Sequence, residues 1–181
     1  SLSSVNELIY DKYIFVGDRG MYRGNNSDYI VNTNHGYIVS KSIDKTAKKE
    51  REWIFDESDY IVESENFKYK SRNFDRYVKV GDEQQKITEK VVVYWSKQFA
   101  KKQEAENKSF LEFIEKLNAS SNKGSFRVTK TQSSKMKKYL KSEYENTYTG
   151  EIIEASKLKT MIDMEKIEKF KKSFGYYQIV T

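Results

Sequence analysis

The stretch Tyr13-Ile14-Phe15-Val16-Gly17-Asp18-Arg19-Gly20 constrains the chain most. Its large apolar residues, all aromatic or β-branched, predict a short strand buried on both faces and closed by glycines and a carboxylate. Open α/β sheets keep their chemistry at such strand ends. The strand carries Asp18 to a crevice at the sheet edge, and Gly20 lets the chain turn away and leave the carboxylate reachable. An aspartate after an apolar strand also serves as a turn former or helix cap, so the motif alone leaves both roles open.

A chain of 181 residues suits one domain, or one domain with a substantial insertion, and can enclose a real core. It has no cysteine, which excludes disulfides and thiolate metal sites and agrees with a reducing cytosol. Purely apolar runs reach only four or five residues, and no basic segment leads into an apolar one at the N-terminus, so neither a membrane span nor a signal peptide is predicted. Lys and Arg number 33 against 27 Asp and Glu, a formal charge of +6 with pI near 9.1. That balance leans toward polyanionic partners. Fourteen tyrosines, ten phenylalanines and two tryptophans, interleaved with lysines, suit a base-stacking sheet surface and ordinary strand packing alike.

Val5, Leu8 and Ile9 fall at helical spacing, and Asp11-Lys12 breaks into the first strand. Asp11 is the only other acid close in sequence to Asp18. On one extended segment the two stand roughly 23 Å apart at about 3.3 Å per residue, beyond the ~4 Å of a two-metal site. Asn26 or Ser27 caps a predicted short helix to about residue 32, and His35, the only histidine, is expected in a solvated turn before a strand at 37–40. A helical pattern over 44–55 places Trp53 and Ile54 inward. The segments 60–62, 67–72, 76–80 and 86–96 then read as antiparallel strands, with a hairpin at Gly81-Asp82-Glu83. Ser96 caps a long helix over about 97–119 whose second half carries the stripe Phe110, Phe113, Ile114, Leu117. Its first half is polar almost all round, either a solvated projection or a surface for phosphates. Residues 126–145 are lysine-rich with little periodicity and read as irregular, with a short helix near 135–140. A short strand at 148–153, a short helix at 163–171 bearing Ile167 and Phe170, and a strand at 176–180 complete the reading.

Three passages, taken in order, resemble the DDE transposases of bacterial insertion sequences, whose catalytic core is ribonuclease-H-like. The first is the strand with Asp18-Arg19-Gly20, then Asn25-Asn26, then Gly36-Tyr37-Ile38-Val39-Ser40. The second is Glu89 to Ser96 running into Lys97-Gln98-Phe99-Ala100-Lys101-Lys102, and the third is Phe174 to Thr181. The resemblance implies an α+β fold: a partial ribonuclease-H-like α/β core over residues 1–40, then a mainly antiparallel β insertion over 41–181 that includes the long helix. It implies an enzyme that cleaves and joins DNA by two-metal-ion phosphoryl transfer, with Mg²⁺ or Mn²⁺ held by three acids. Asp18 matches the second of these, as catalytic residue and metal ligand. The other two have no counterpart here, so the chain is expected to be a catalytically inactive fragment of a cytoplasmic bacterial protein that acts as a dimer on DNA.

In that family the insertion contacts transposon-end DNA, and the candidates here are Lys68, Lys70, Arg72, Lys97, Lys101 and Lys102, with Trp95 as a base-stacking candidate. Arg19 is placed either to touch a phosphate, to orient Asp18, or to pair with a neighbouring acid. The competing reading is a non-enzymatic nucleic-acid-binding module, in which the basic β-rich block is the working surface and Asp18 a turn residue.

Overall fold

The computed structural model describes residues 13–18, 35–80, 82–119, 125–126, 130–145 and 153–181. In chain order these form β1 (Ile14–Gly17), β2 (Gly36–Lys41), α1 (Lys48–Phe55), β3 (Ile61–Ser64), β4 (Phe67–Val80), β5 (Glu83–Ser96), α2 (Lys97–Ala119), β6 (Ser125–Phe126), α3 (Lys130–Met136), β7 (Ile153–Glu154), α4 (Ala155–Met161), α5 (Met164–Lys172) and β8 (Tyr176–Val180). The architecture is mixed α+β. Six strands make one sheet in the order β1-β2-β8-β5-β4-β3, in which only β1 and β2 run parallel.

Two compact units result, residues 1–99 with 175–181, and residues 100–174. This partition differs from the expected 1–40 and 41–181 because β8 pairs with β2 on one side and β5 on the other. Strands on both sides of residue 40 therefore belong to one sheet. In that first unit α1 covers one face, where Trp53 and Ile54 pack on Val39, Val91, Val93 and Val180, all nearly or fully buried. The second unit is helical. Phe110, Phe113, Ile114 and Leu117 of α2 pack with Met136, Leu140, Leu158, Met161 and Ile167.

Local chemistry explains the helix ends. The Ser96 hydroxyl accepts the Phe99 amide at 3.4 Å, so α2 begins at Lys97. Asp163 accepts the Lys166 amide at 3.2 Å and starts α5, whose last turn carries Lys169, Lys171 and Lys172 against the negative dipole end. After α5 the chain reverses through Gly175 at φ 87°, a conformation that side chains with a Cβ resist, and its carbonyl accepts the Ser96 amide.

Several expectations change. β1 is not buried on both faces: among the described residues it is the outermost strand of the sheet, with Ile14 67% and Val16 70% exposed. The strands expected at 67–72 and 76–80 are one, because the antiparallel register runs unbroken from Phe67 opposite Ser96 to Val80 opposite Glu83. His35 stacks on Tyr13, centroids 3.7 Å apart, instead of standing in solvent. Helices α3 and α4 occupy segments expected to be irregular or left unassigned. The helices expected near Val5 and Asn26 lie outside the described residues.

Candidate functional site

Strand alternation divides the sheet's side chains between two faces. Phe15, Tyr37, Val39, Val91, Val93 and Val180 point toward α1. Ile14, Val16, Ile38 and Ser40 therefore point the other way, and Asp18 joins them, its Oδ1 accepting the Ser40 hydroxyl at 3.0 Å. Asp18 is exposed, whereas Ser40 is 4% exposed, so a rigid sheet residue orients a carboxylate that solvent reaches. Among the described residues no strand pairs with the outer side of β1.

Register puts four of the expected DNA-contacting residues, Lys68, Lys70, Arg72 and Trp95, on the opposite face. Lys68 lies opposite Trp95, Lys70 opposite Val93 and Arg72 opposite Val91, all on the α1 side. Lys70 is corrected outright: it is 2% exposed, and its ammonium donates to the carbonyls of Trp53 and Asp56 at the C-terminal end of α1. The ammonium also sits 4.2 Å from the Tyr60 ring centroid and 4.7 Å from that of Trp53. Desolvation pulls its pKa below the ordinary lysine value, against the pull of Asp56, Asp59 and Glu57. A charge consumed in capping a helix cannot reach a phosphate.

Lys68 is spoken for in the same way. Its ammonium pairs with Glu57 and lies within 6 Å of the Tyr60, Trp95 and Tyr176 rings. Tyr176 donates its hydroxyl to Glu57 at 2.6 Å, and burial pushes both the Tyr60 and Tyr176 hydroxyls far above the ordinary tyrosine range. Trp95 is thus a wall of an internal cation cage. Arg72 is exposed with its guanidinium over Phe74. Lys97 approaches Glu65 at 3.9 Å, Lys102 approaches Glu106 at 4.0 Å along α2, and Lys101 is exposed. Arg19 lies outside the described residues.

Glu57 gives this cage a pH dependence. Burial raises its pKa, but hydrogen bonds from Lys68 and Tyr176 and the charges of Lys68 and Lys70 outweigh burial, and the net shift is downward from 4.5. A depressed carboxylate contributes stability that is complete above its unfolded pKa and is lost as pH falls through the folded one. Glu57→Gln is expected to lower stability at neutral pH by less than about 1 kcal/mol, since the side chain is largely exposed. The difference from the parent should shrink as pH falls below 4.5 and through the depressed folded-state pKa, in urea titrations followed by tryptophan fluorescence. A difference that persists in acid would show that the carboxylate's charge is not what matters.

Two buried polar clusters have no sequence signal, because their members meet only through sheet register. Glu89, 2% exposed, accepts from the Tyr37 hydroxyl at 2.7 Å and lies 2.9 Å from Arg76 Nε. It stands on the α1 side, away from Asp18. Glu50 receives Lys41 on both carboxylate oxygens at 3.0 Å together with the Gln178 amide, and Thr46 donates to Gln178 at 3.0 Å. The aromatic row on Asp18's own face also went unread: Phe67 is 5.7 Å from Tyr94, and Tyr94 stacks on Tyr177 at 5.3 Å.

Mg²⁺ and Mn²⁺ take oxygen donors from several carboxylates. Among the described residues no group of three or more His, Asp or Glu is arranged to hold a metal. Asp18, oriented by Ser40, fits one carboxylate position of such a set. No helix among the described residues is long and apolar enough to cross a membrane. No family model, curated protein or solved structure matches the chain.

Proposed function

We propose that this chain is part of a DDE transposase of an insertion sequence, with Asp18 as one of three metal-binding acids in a ribonuclease-H-like core. One observation carries the reading: a solvent-facing aspartate follows an edge strand that runs parallel to its neighbour, held by a hydroxyl of that neighbour. Parallel strands with a carboxylate at their C-terminal ends suit the crevice where α/β sheets bind ligands. In this reading Asp18 supplies metal-binding oxygens, Ser40 fixes its rotamer, and the other two acids come from chain outside residues 1–181. The metals supply activation of the attacking oxygen and stabilisation of the leaving one.

The test uses the whole reading frame in which this chain lies, given DNA carrying the ends of the element. Mg²⁺-dependent nicking is expected, and Asp18→Ala should lower it by at least about a hundredfold, while Ser40→Ala, which removes only the orienting hydroxyl, should cost less. Undiminished nicking by Asp18→Ala removes the residue from the chemistry and the proposal with it.

A further inference from the structure

The formal charge of +6 is not spread over the chain. Residues 1–99 and 175–181, the sheet unit, hold 16 Lys and Arg against 16 Asp and Glu. Residues 100–174, the helical unit, hold 17 against 11, so the whole excess lies there. Within that unit, the 27 residues from Lys116 to Ser142 carry eight cations and no carboxylate side chain.

The neighbouring helices do the opposite. Lys102 and Lys108 of α2 have Glu106 and Glu112 one turn on, and Lys169 and Lys171 of α5 meet Glu165 and Glu168. Such pairs are how a solvated helix face normally carries lysine. In the acid-free stretch Lys137, Lys138 and Lys141 are exposed and make no ion pair among the described residues.

Packing fixes where these lysines point. Met136 and Leu140 are 1% and 0% exposed in the core of the helical unit and Tyr139 packs against it, which leaves Lys137, Lys138 and Lys141 on the outside. The turn is pinned from both sides: the Lys141 amide donates to the Met161 carbonyl at 2.9 Å and the Asp163 amide to the Tyr139 carbonyl at 2.7 Å. Lys157, exposed on α4, stands one helical turn before Met161, the residue whose carbonyl accepts the Lys141 amide. Of the nearby acids, Glu145 is paired with Lys166, and Glu143 hydrogen-bonds the Tyr144 hydroxyl.

We propose that Lys137, Lys138, Lys141 and Lys157 form a docking surface for the phosphate backbone of duplex DNA. The surface follows from the charge and the packing; the choice of DNA rests on the transposase reading. Clustered ammonium groups on a pinned turn, with no ion pair among the described residues, gain from releasing the counterions condensed on a duplex. They read no sequence, since point charges on phosphates position and do not specify.

The test is fluorescence anisotropy of a labelled random-sequence duplex titrated with the 181-residue chain over about 50–200 mM salt. Lys137→Gln/Lys138→Gln/Lys141→Gln is expected to weaken binding about tenfold or more and to lower the slope of log affinity against log salt by about 2–3. Lys45→Gln/Lys49→Gln/Arg51→Gln removes the same charge from exposed positions of the sheet unit and should change affinity by less than about twofold. Lys138→Gln and Lys141→Gln singly should each give part of the loss, should the triple variant melt early. Equal weakening by the two triple variants, absence of binding at low salt, or tighter binding to single-stranded RNA or to phosphatidylserine vesicles would each overturn the proposal. Asp18→Ala should leave this binding intact. Undiminished nicking by Asp18→Ala with selective weakening by the lysine variant overturns the transposase reading and leaves the basic surface, whereas lost nicking with equal weakening by the two triple variants overturns the surface and leaves that reading.

Discussion

Glu50→Ala is expected to destabilise the sheet unit by about 3–5 kcal/mol, a large fraction of what holds a domain of this size together. Glu50 is 6% exposed and accepts from Lys41 on both oxygens and from Gln178, itself 1% exposed. Truncation leaves a partly buried ammonium and a buried amide without the acceptor around which both are arranged, and unpaired buried polar groups cost far more than the pair was worth. These contacts also join α1 to β2 and β8, so their loss loosens the helix that covers Val39, Val91 and Val180. Urea unfolding followed by circular dichroism checks the size of the effect. The decisive comparison is Lys41→Met/Glu50→Leu, which removes both charges and keeps apolar volume. It should recover most of the loss, and a double variant as unstable as Glu50→Ala would mean that side-chain shape, not an orphaned charge, sets the cost.

Phe110→Ala should have a similar magnitude and a different location. Phe110 is 1% exposed, packs against Tyr139 with centroids 5.4 Å apart, and lies among the buried side chains of the helical unit. Emptying that volume costs about 3–5 kcal/mol in a core that relaxes only partly. Peptide-resolved hydrogen exchange is expected to show lost protection over residues 110–172, with β4, β5 and β8 nearly unchanged, because each unit has its own core. Uniform loss across both units would show that they unfold as one.

How much of this was legible in the sequence depends on the range of the interaction involved. Helix α2 was readable to its first and last residue, since its cap at Ser96 and its apolar stripe are local. The strand Tyr176–Val180 was equally readable, while the helix expected over 163–171 runs from Met164 to Lys172 because Asp163 caps it from outside. Sheet order was not readable. The apolar run at 13–16 looks like a central strand by composition, and only its missing outer neighbour among the described residues reveals an edge.

Lys68 and Lys70 show the same limit at the level of sites. Alternating lysines on a strand resemble a phosphate-facing surface, and their capture by Glu57, Tyr60 and the end of α1 depends on partners 8–17 positions away in the chain. The lysine-rich segment after Phe126 misled in the opposite direction. Its weak apolar content concealed Met136 and Leu140, which with Tyr139 and Tyr144 anchor the segment to the helical core. Asp18 was legible as a motif, and the face it occupies was not.

The position of β8 has a consequence for the order in which the chain acquires its structure during synthesis. Residues 176–180 bridge β2 and β5, so the six-stranded sheet cannot close while the ribosome is still translating the helical segment. Until then the β1–β2 pair and the β3–β4–β5 meander have no strand between them, and an open sheet edge invites pairing with other chains. The helical unit has every residue it needs by Phe174 and closes through contacts nearer in sequence. Purified chains truncated between residues 174 and 181 should pass abruptly from an aggregation-prone to a monodisperse state as β8 is completed.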